Sequence, residues 1–248
     1  MKLLALISLA VAVSAGQLAI AQVPAVETRT GGISYTHRID DKTIIIDKAT
    51  GERIPASKYE ELTRRDRNGY HLEEVMNEYG QPASYLLRPT TSEERETHRF
   101  YNRGDENRPK VGAEMPLFVM KGIDNKEYRS TELKGQVVVL SFWISTHRPF
   151  WNLKHVAQFA EALQPFQTGA GFMSLGIFSD SAEEIADVLK TQKLPFVAVP
   201  NAYGFNRKFG VGAGSTCIVV DRDGKVAAFI DGADYAALKT VLERLNRK

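Results

Sequence analysis

Hydrophobic and polar positions are organised differently in the two halves of this 248-residue chain. From Val111 onward the apolar residues gather into uninterrupted runs. "VVVLSFW", beginning at Val137, is β-branched and aromatic without polar alternation, the mark of a central strand covered on both faces. "GFMSLGIF" and "STCIVVD" are two further runs of the same kind. Between them "SAEEIADVLKTQK" has helical periodicity, with Ser181 as N-cap and Glu184 completing a capping box. "RDGK" turns the last run into "VAAFIDG", and "ADYAALKTVLERLNRK" closes as a helix with Tyr235, Leu238, Val241, Leu242 and Leu245 along one side. Ahead of the first run, "MPLFVMKGIDNKEYRSTELKGQ" predicts a strand at Leu117 to Met120 and a turn at Asp124-Asn125. Strand, helix, strand, helix, hairpin and final helix predict an α/β fold for residues 111–248, a central sheet with helices on both faces.

The first half is less regular. "KTIIIDKATGERIPASKYEELTRR" predicts a β-hairpin at Ile44 to Ile46 around the turn-like "DKATGE", then a helix starting at Ser57. In "HLEEVMNEYGQPASYLLRP", Leu72, Val75, Met76 and Tyr79 stand at i, i+3, i+4 and i+7, with Gly80 and Pro82 as stop signals, which predicts a second helix. Residues 22–89 thus read as a small α+β region, and Gln22 to Ile33, without periodicity, as a lead-in lacking regular structure. Thr90 to Lys110, dense in charges of both signs and poor in aliphatics, reads as a charged linker with a wet face.

The extreme N-terminus supplies an address. "MKLLALISLAVAVSAGQLAIA" has Lys2, an apolar stretch from Leu3 to Val13 and small residues at Ala19 and Ala21, the pattern of a cleaved secretory signal over residues 1–21. Ser14, Gly16 and Gln17 interrupt the stretch before it reaches the roughly 20 apolar residues of a spanning helix, so the mature chain is expected to have no transmembrane segment. An exported protein, periplasmic or extracellular, is expected. Cleavage lowers Lys plus Arg from 32 to 31 against 30 acids, a formal charge of +1. That balance argues against nucleic acid or an anionic surface as partner. Cys217 is the only cysteine, so no internal disulfide is available.

Three strings in order carry a resemblance: "VGAEMPLFVM", "LKGQVVVLSFW" and "FGVGAGSTCIVVDRDGKV". They resemble the opening segment, the "FW" strand and the final hairpin of the thioredoxin-like superfamily, specifically its exported TlpA-like and redoxin (AhpC/TSA-type) branch. The resemblance covers Val111 to Lys248 and implies a thioredoxin-like central sheet flanked by helices. It also implies a Cys-x-x-Cys pair in the turn after the "FW" strand, with the thiolate activated at a helix N-terminus. Counted from Phe142-Trp143, the two cysteine positions fall on His147 and Phe150, with Arg148 and Pro149 between them. The family's cis-proline aligns with Ser215, whose preceding bond is expected to be trans.

Each of these positions has a reading of its own. Phe150, Leu153, Val156, Ala157, Ala160 and Leu163 follow helical spacing, so Phe150 is expected to fill the core where the resemblance implies a buried sulfur. His147 is expected at an exposed helix start, where the dipole favours a neutral imidazole. Trp143, Thr146 and Trp151 are expected to join it in a contact surface, with Trp151 partly buried. Cys217, beginning a central strand, reads as a buried inert thiol. The "GVGAG" glycines lead into a strand and form no phosphate cradle, and "DRDG" is a hairpin turn rather than half a calcium loop. No metal site or cofactor is expected.

These readings predict an exported thioredoxin-fold protein that has lost the thiol pair and serves as a redox-inactive binding or envelope-associated module, with a protein or peptide partner at the former active-site edge. Two alternatives stand beside it. One is a thiol-disulfide oxidoreductase or peroxidase-type enzyme acting through Cys217, which leaves the question of enzymatic activity open. The other makes the N-terminal region the working part.

Overall fold

The computed structural model describes residues 25–30, 33–98, 104–167, 171–212 and 214–247. The expected signal, residues 1–21, lies outside them. The chain divides into two compact units, Met1–Lys42 and Thr43–Lys248. In the first, β1 (Ala25–Thr30) pairs antiparallel with β2 (Ile33–Arg38), Ala25 facing Arg38 and Thr30 facing Ile33. This corrects the expectation of a lead-in lacking regular structure, in a segment that no apolar alternation marks as a strand.

The second unit starts with a four-stranded sheet ordered β4-β3-β6-β5. The expected hairpin is present as β3 (Ile45–Asp47) and β4 (Arg53–Ile54), followed by α1 (Ala56–Arg65). Its turn is set by Asp47, whose Oδ1 accepts from the amides of Ala49 and Thr50 at 2.8 and 3.1 Å. The second predicted helix is absent. Tyr70–Met76 is strand β5, antiparallel to β6 (Pro82–Pro89).

The reason lies in buried acids. Glu73 and Glu74 on β5 are 9% and 6% exposed, each held by a cation from another element. Lys48 Nζ reaches Glu73 at 2.7 Å, Arg88 also binds Glu73, and Arg207 binds Glu74. With charged residues inside, the strand lacks the alternation that would have revealed it.

The charged stretch is likewise more than a wet face. α2 (Ser92–Thr97) is capped by Thr91 and Glu94 in a capping box. Glu94 is 4% exposed and receives both terminal nitrogens of Arg88, at 2.7 and 2.5 Å. A 3-10 turn at Gly104–Asn107 follows.

The remaining elements are the hairpin β7 (Val119–Lys121) and β8 (Glu127–Arg129), then β9 (Val137–Phe142), α3 (Leu153–Leu163), β10 (Phe172–Ile177), α4 (Ala182–Leu189), β11 (Val197–Val199), α5 (Tyr203–Lys208), β12 (Thr216–Val220), β13 (Val226–Asp231) and α6 (Tyr235–Asn246). β11 and α5 have no counterpart in the sequence reading. The central sheet runs β11-β10-β9-β12-β13, with β9 parallel to β10 and antiparallel to β12.

Every residue of β9 is buried, as the unbroken apolar run predicts. Val137, Val139 and Trp143 face one core with Val156, Phe159, Ile185, Leu238 and Leu242 of α3, α4 and α6. Val138, Leu140 and Phe142 face the other with Phe118, Met120 and Phe205 of α5. This is the predicted α/β, thioredoxin-like architecture. Among the described residues no helix is long and apolar enough to cross a membrane.

Candidate functional site

β9 delivers the chain to the end of the sheet at Phe142, and the turn from Ile144 to Asn152 carries most of the residues singled out above. Trp143 still belongs to the sheet: its amide donates to Ile177 O at 3.0 Å and it is 7% exposed. Its ring meets Trp151, Phe159 and Phe196 at 5.5 to 5.6 Å, and its indole N–H donates to Ser141 Oγ at 3.0 Å. Ser141 Oγ in turn donates to Leu175 O at 3.1 Å. Trp143 is therefore a core residue, which corrects its assignment to a contact surface. A large ring with one polar atom is accommodated inside when that atom finds an acceptor.

The helix begins later than expected. α3 starts at Leu153 with Asn152 as N-cap, its Oδ1 accepting from the Lys154 amide at 3.0 Å. Phe150 consequently precedes the helix and stands 57% exposed, as does Leu153 at 62%. The expectation that Phe150 fills the core is thus corrected: the buried face of α3 is Val156, Phe159, Ala162 and Leu163. Nor does the dipole of α3 bear on His147, which is six positions before the first helical residue.

The turn is organised instead by Asp180, which follows β10. Ser145 Oγ donates to Asp180 Oδ1 at 2.8 Å, and the Thr146 amide donates to Oδ2 at 2.5 Å. Thr146 is 9% exposed and is a second corrected member of the expected surface. The His147 amide donates to Ser145 Oγ at 3.1 Å, and its carbonyl accepts from the Trp151 amide at 2.8 Å.

The imidazole projects outward, its side chain 60% exposed. Nδ1 lies 3.1 Å from Ser145 Oγ and 3.7 Å from Asp180 Oδ1, while Nε2 lies 3.6 Å from Glu184 Oε1. A protonated ring would face a carboxylate on each nitrogen. Glu184 completes the capping box of α4, and hydrogen bonds with the amide and hydroxyl of Ser181 hold its carboxyl below the ordinary range. Asp180 and Ser145 carry no motif in the sequence, and Glu184 was legible only as a cap.

Trp151 is partly buried as expected, packing on Trp143 and Phe178 and donating through Nε1 to Gln192 Oε1 at 3.2 Å. Arg148, Pro149 and Phe150 are exposed. The Arg148–Pro149 bond is cis, and the bond before Ser215 is trans as expected. Thr216 pairs with Phe142, so half-buried Ser215 sits at the same end of the sheet as the turn.

Cys217 does not belong to this constellation. It pairs with Ser141 within the sheet, is 5% exposed and faces the α3 and α6 core. Burial pushes its thiol up to about 12, and burial followed by the nearby Cys217 does the same to the Tyr235 hydroxyl. Among the described residues no group of three or more His, Cys, Asp and Glu is placed to hold a metal ion.

Comparison with known proteins gives a match to the Redoxin family model over residues 110–242. The chain is 27% identical over 130 residues to the thiol-disulfide oxidoreductase ResA of Bacillus cereus, covering 52% of this chain and 73% of that one. Among solved structures, a peroxiredoxin-like protein from Aquifex aeolicus is 19% identical with a TM-score of 0.46, covering 56% of this chain and 88% of that chain. The exposed lipoprotein thioredoxin of Streptococcus pneumoniae is 23% identical with a TM-score of 0.41, covering 51% and 98%.

Proposed function

The chain belongs to the Redoxin family, and we propose that within it this protein is an exported binding module that keeps the thioredoxin-like scaffold without its thiol chemistry. One observation carries the reading: the single thiol is buried in a central strand with its ionisation pushed up to about 12. Disulfide exchange needs a thiolate within reach of its target. Cys217 offers neither the charge nor the access, and the turn where the resemblance implies two cysteines carries His147 and Phe150. Export rests on the N-terminal pattern of residues 1–21.

The binding surface is the rim of that turn. Ile144, Phe150 and Leu153 are 41%, 57% and 62% exposed, with Arg148, Pro149 and Lys154 exposed among them. Trp143 and Trp151 support this rim from beneath. Apolar side chains between two cations suit a protein or peptide segment that brings apolar groups and a carboxylate together.

The experiment is an assay of the full mature chain and its Cys217→Ser variant for insulin-disulfide reduction and for peroxide consumption. Both are expected to run at the buffer rate. Turnover that disappears with Cys217 would overturn the proposal in favour of an oxidoreductase.

A further inference from the structure

We infer that the module formed by residues 43–98 is a brace for α5 and, through α5, for the loop that runs on toward Ser215. The matched family segment begins at residue 110, so the module precedes it. Its grip on α5 is close at three points.

First, Glu74 on β5, its side chain 2% exposed, pairs with Arg207 on α5, 12% exposed. Second, Lys208 Nζ donates to Met76 O at 3.3 Å. Third, the β5–β6 turn lies against the start of α5. A Cβ on Gly204 would stand 1.7 Å from Gly80 O, and one on Gly80, at φ +69°, would stand 3.1 Å from the Phe205 ring. Two glycines make that approach possible, because any side chain at Gly204 would drive the two backbones apart.

Neighbouring segments tighten the joint. Glu78 O accepts from the Val119 amide at 2.7 Å, and Asn107 Nδ2 donates to Arg207 O at 3.3 Å. A buried ion pair is weak evidence for stability, but it fixes one arrangement, since displacing either partner leaves a charge stranded away from water.

The loop hangs directly from the braced helix. The amides of Phe209, Gly210 and Val211 donate back to Phe205, Arg207 and Asn206 at 3.0, 3.3 and 2.8 Å. Phe209 is fully buried, and its ring packs edge-on against Phe142 at 6.2 Å, next to the strand end that bears the turn. Glu74, Arg207, Gly80 and Gly204 are therefore positioning residues for Phe209 to Gly212, which lie at the end of the sheet that bears the turn. The brace is measured without any partner, so failure of the binding proposal and failure of the brace are distinguishable.

Amide hydrogen exchange on the full mature chain tests it. In Glu74→Gln the amides of α5 and of Phe209 to Gly212 are expected to exchange at least about tenfold faster, while β9 and β10 keep wild-type protection. The charge-reversed pair Glu74→Arg with Arg207→Glu is expected to restore part of that protection. Lys208→Met removes the contact to Met76 O and the ammonium over the Phe209 ring, leaves the Glu74–Arg207 pair in place and is expected to give a smaller rise confined to the same segment, which covers the case in which Glu74→Gln fails to fold. Unchanged exchange at Phe209 to Gly212 in the folded variants would overturn the inference. So would an equal rise across β9 and β10, which would mark a contribution to global stability alone.

Discussion

Ser145 and Asp180 are joined through both ends of one carboxylate: the Ser145 hydroxyl donates to Oδ1 at 2.8 Å, and the amide of the next residue, Thr146, donates to Oδ2 at 2.5 Å. The turn at the candidate site is thus pinned to the loop after β10 by a side chain only 9% exposed. Asp180→Ala leaves the buried Thr146 amide without its acceptor and is expected to cost about 1–3 kcal/mol. Asp180→Asn, which keeps one carbonyl oxygen, should cost less. Denaturant unfolding together with exchange at the Thr146 amide checks this; equal stability of all three chains would refute the pinning role.

Cys217 provides a test in alkali. Its thiol is moved from 9.0 in the open chain to about 12 in the fold by burial. Between those values the unfolded state releases a proton that the folded state retains, so stability falls as pH rises, by about 1.4 kcal/mol per unit for this group. Below the lower value nothing is lost. Wild type is therefore expected to lose about 2 kcal/mol more than Cys217→Ala between about pH 8 and pH 10.5. At neutral pH the native thiol should resist an aromatic disulfide reagent and react fully only after unfolding. Rapid labelling of the native protein would count against both the burial and the redox-inactive reading.

What the sequence disclosed followed the location of its charges. The elements of the central sheet that bury no charged group, β9, β10 and β12, are legible as apolar runs broken at most by a small hydroxyl residue, and the capping box and glycine turn around them mark α4 and the β12–β13 hairpin. β5 reads as a helix in the sequence because Glu73 and Glu74 lie inside, each paired with a cation from a distant part of the chain. The candidate site divides along the same line. His147, Arg148 and Phe150 are local to one turn and could be found by counting, whereas Asp180, which organises them, is 33 residues beyond His147 and carries no signature. The spacing of Phe150 to Leu153 and Val156 fits a helix and so points to the core; the Asn152 cap starts that helix three residues later, at Leu153.

The buried acids also make a prediction about acid. Burial alone would raise the Glu73 carboxyl, but hydrogen bonds from Lys48 and Arg88 outweigh it and hold the group below its ordinary range. Its contribution is present above the unfolded value and is lost as pH falls through the folded one. Arg88→Met takes the guanidinium from Glu94, 5% exposed, and one of two cations from Glu73, at an expected cost of about 3–5 kcal/mol at neutral pH. Because Arg88 helps hold the Glu73 carboxyl below its ordinary range, that cost should be smaller at about pH 4 than at neutral pH. Unfolding free energies of the two chains at both pH values decide the matter, and a pH-independent difference would mean that Arg88 acts through packing.

The last prediction separates the rim of the turn from the core beneath it. Phe150 and Leu153 are more than half exposed, so replacing both with Ser removes little buried area and is expected to change stability by about 0.5 kcal/mol or less. Phe159, fully buried on the same helix and in edge contact with Trp143 at 5.5 Å, behaves oppositely: Phe159→Ala should cost about 3–5 kcal/mol. Had Phe150 been core filler, as helical spacing alone suggests, the double variant would approach the cost of Phe159→Ala. Thermal and urea unfolding of the three proteins distinguish these cases. A library of peptides combining apolar and acidic residues, screened against the full mature chain, then reads the rim itself: binders should lose affinity in the Phe150→Ser, Leu153→Ser chain and keep it in Cys217→Ala. Binders indifferent to the rim would place recognition elsewhere on the molecule.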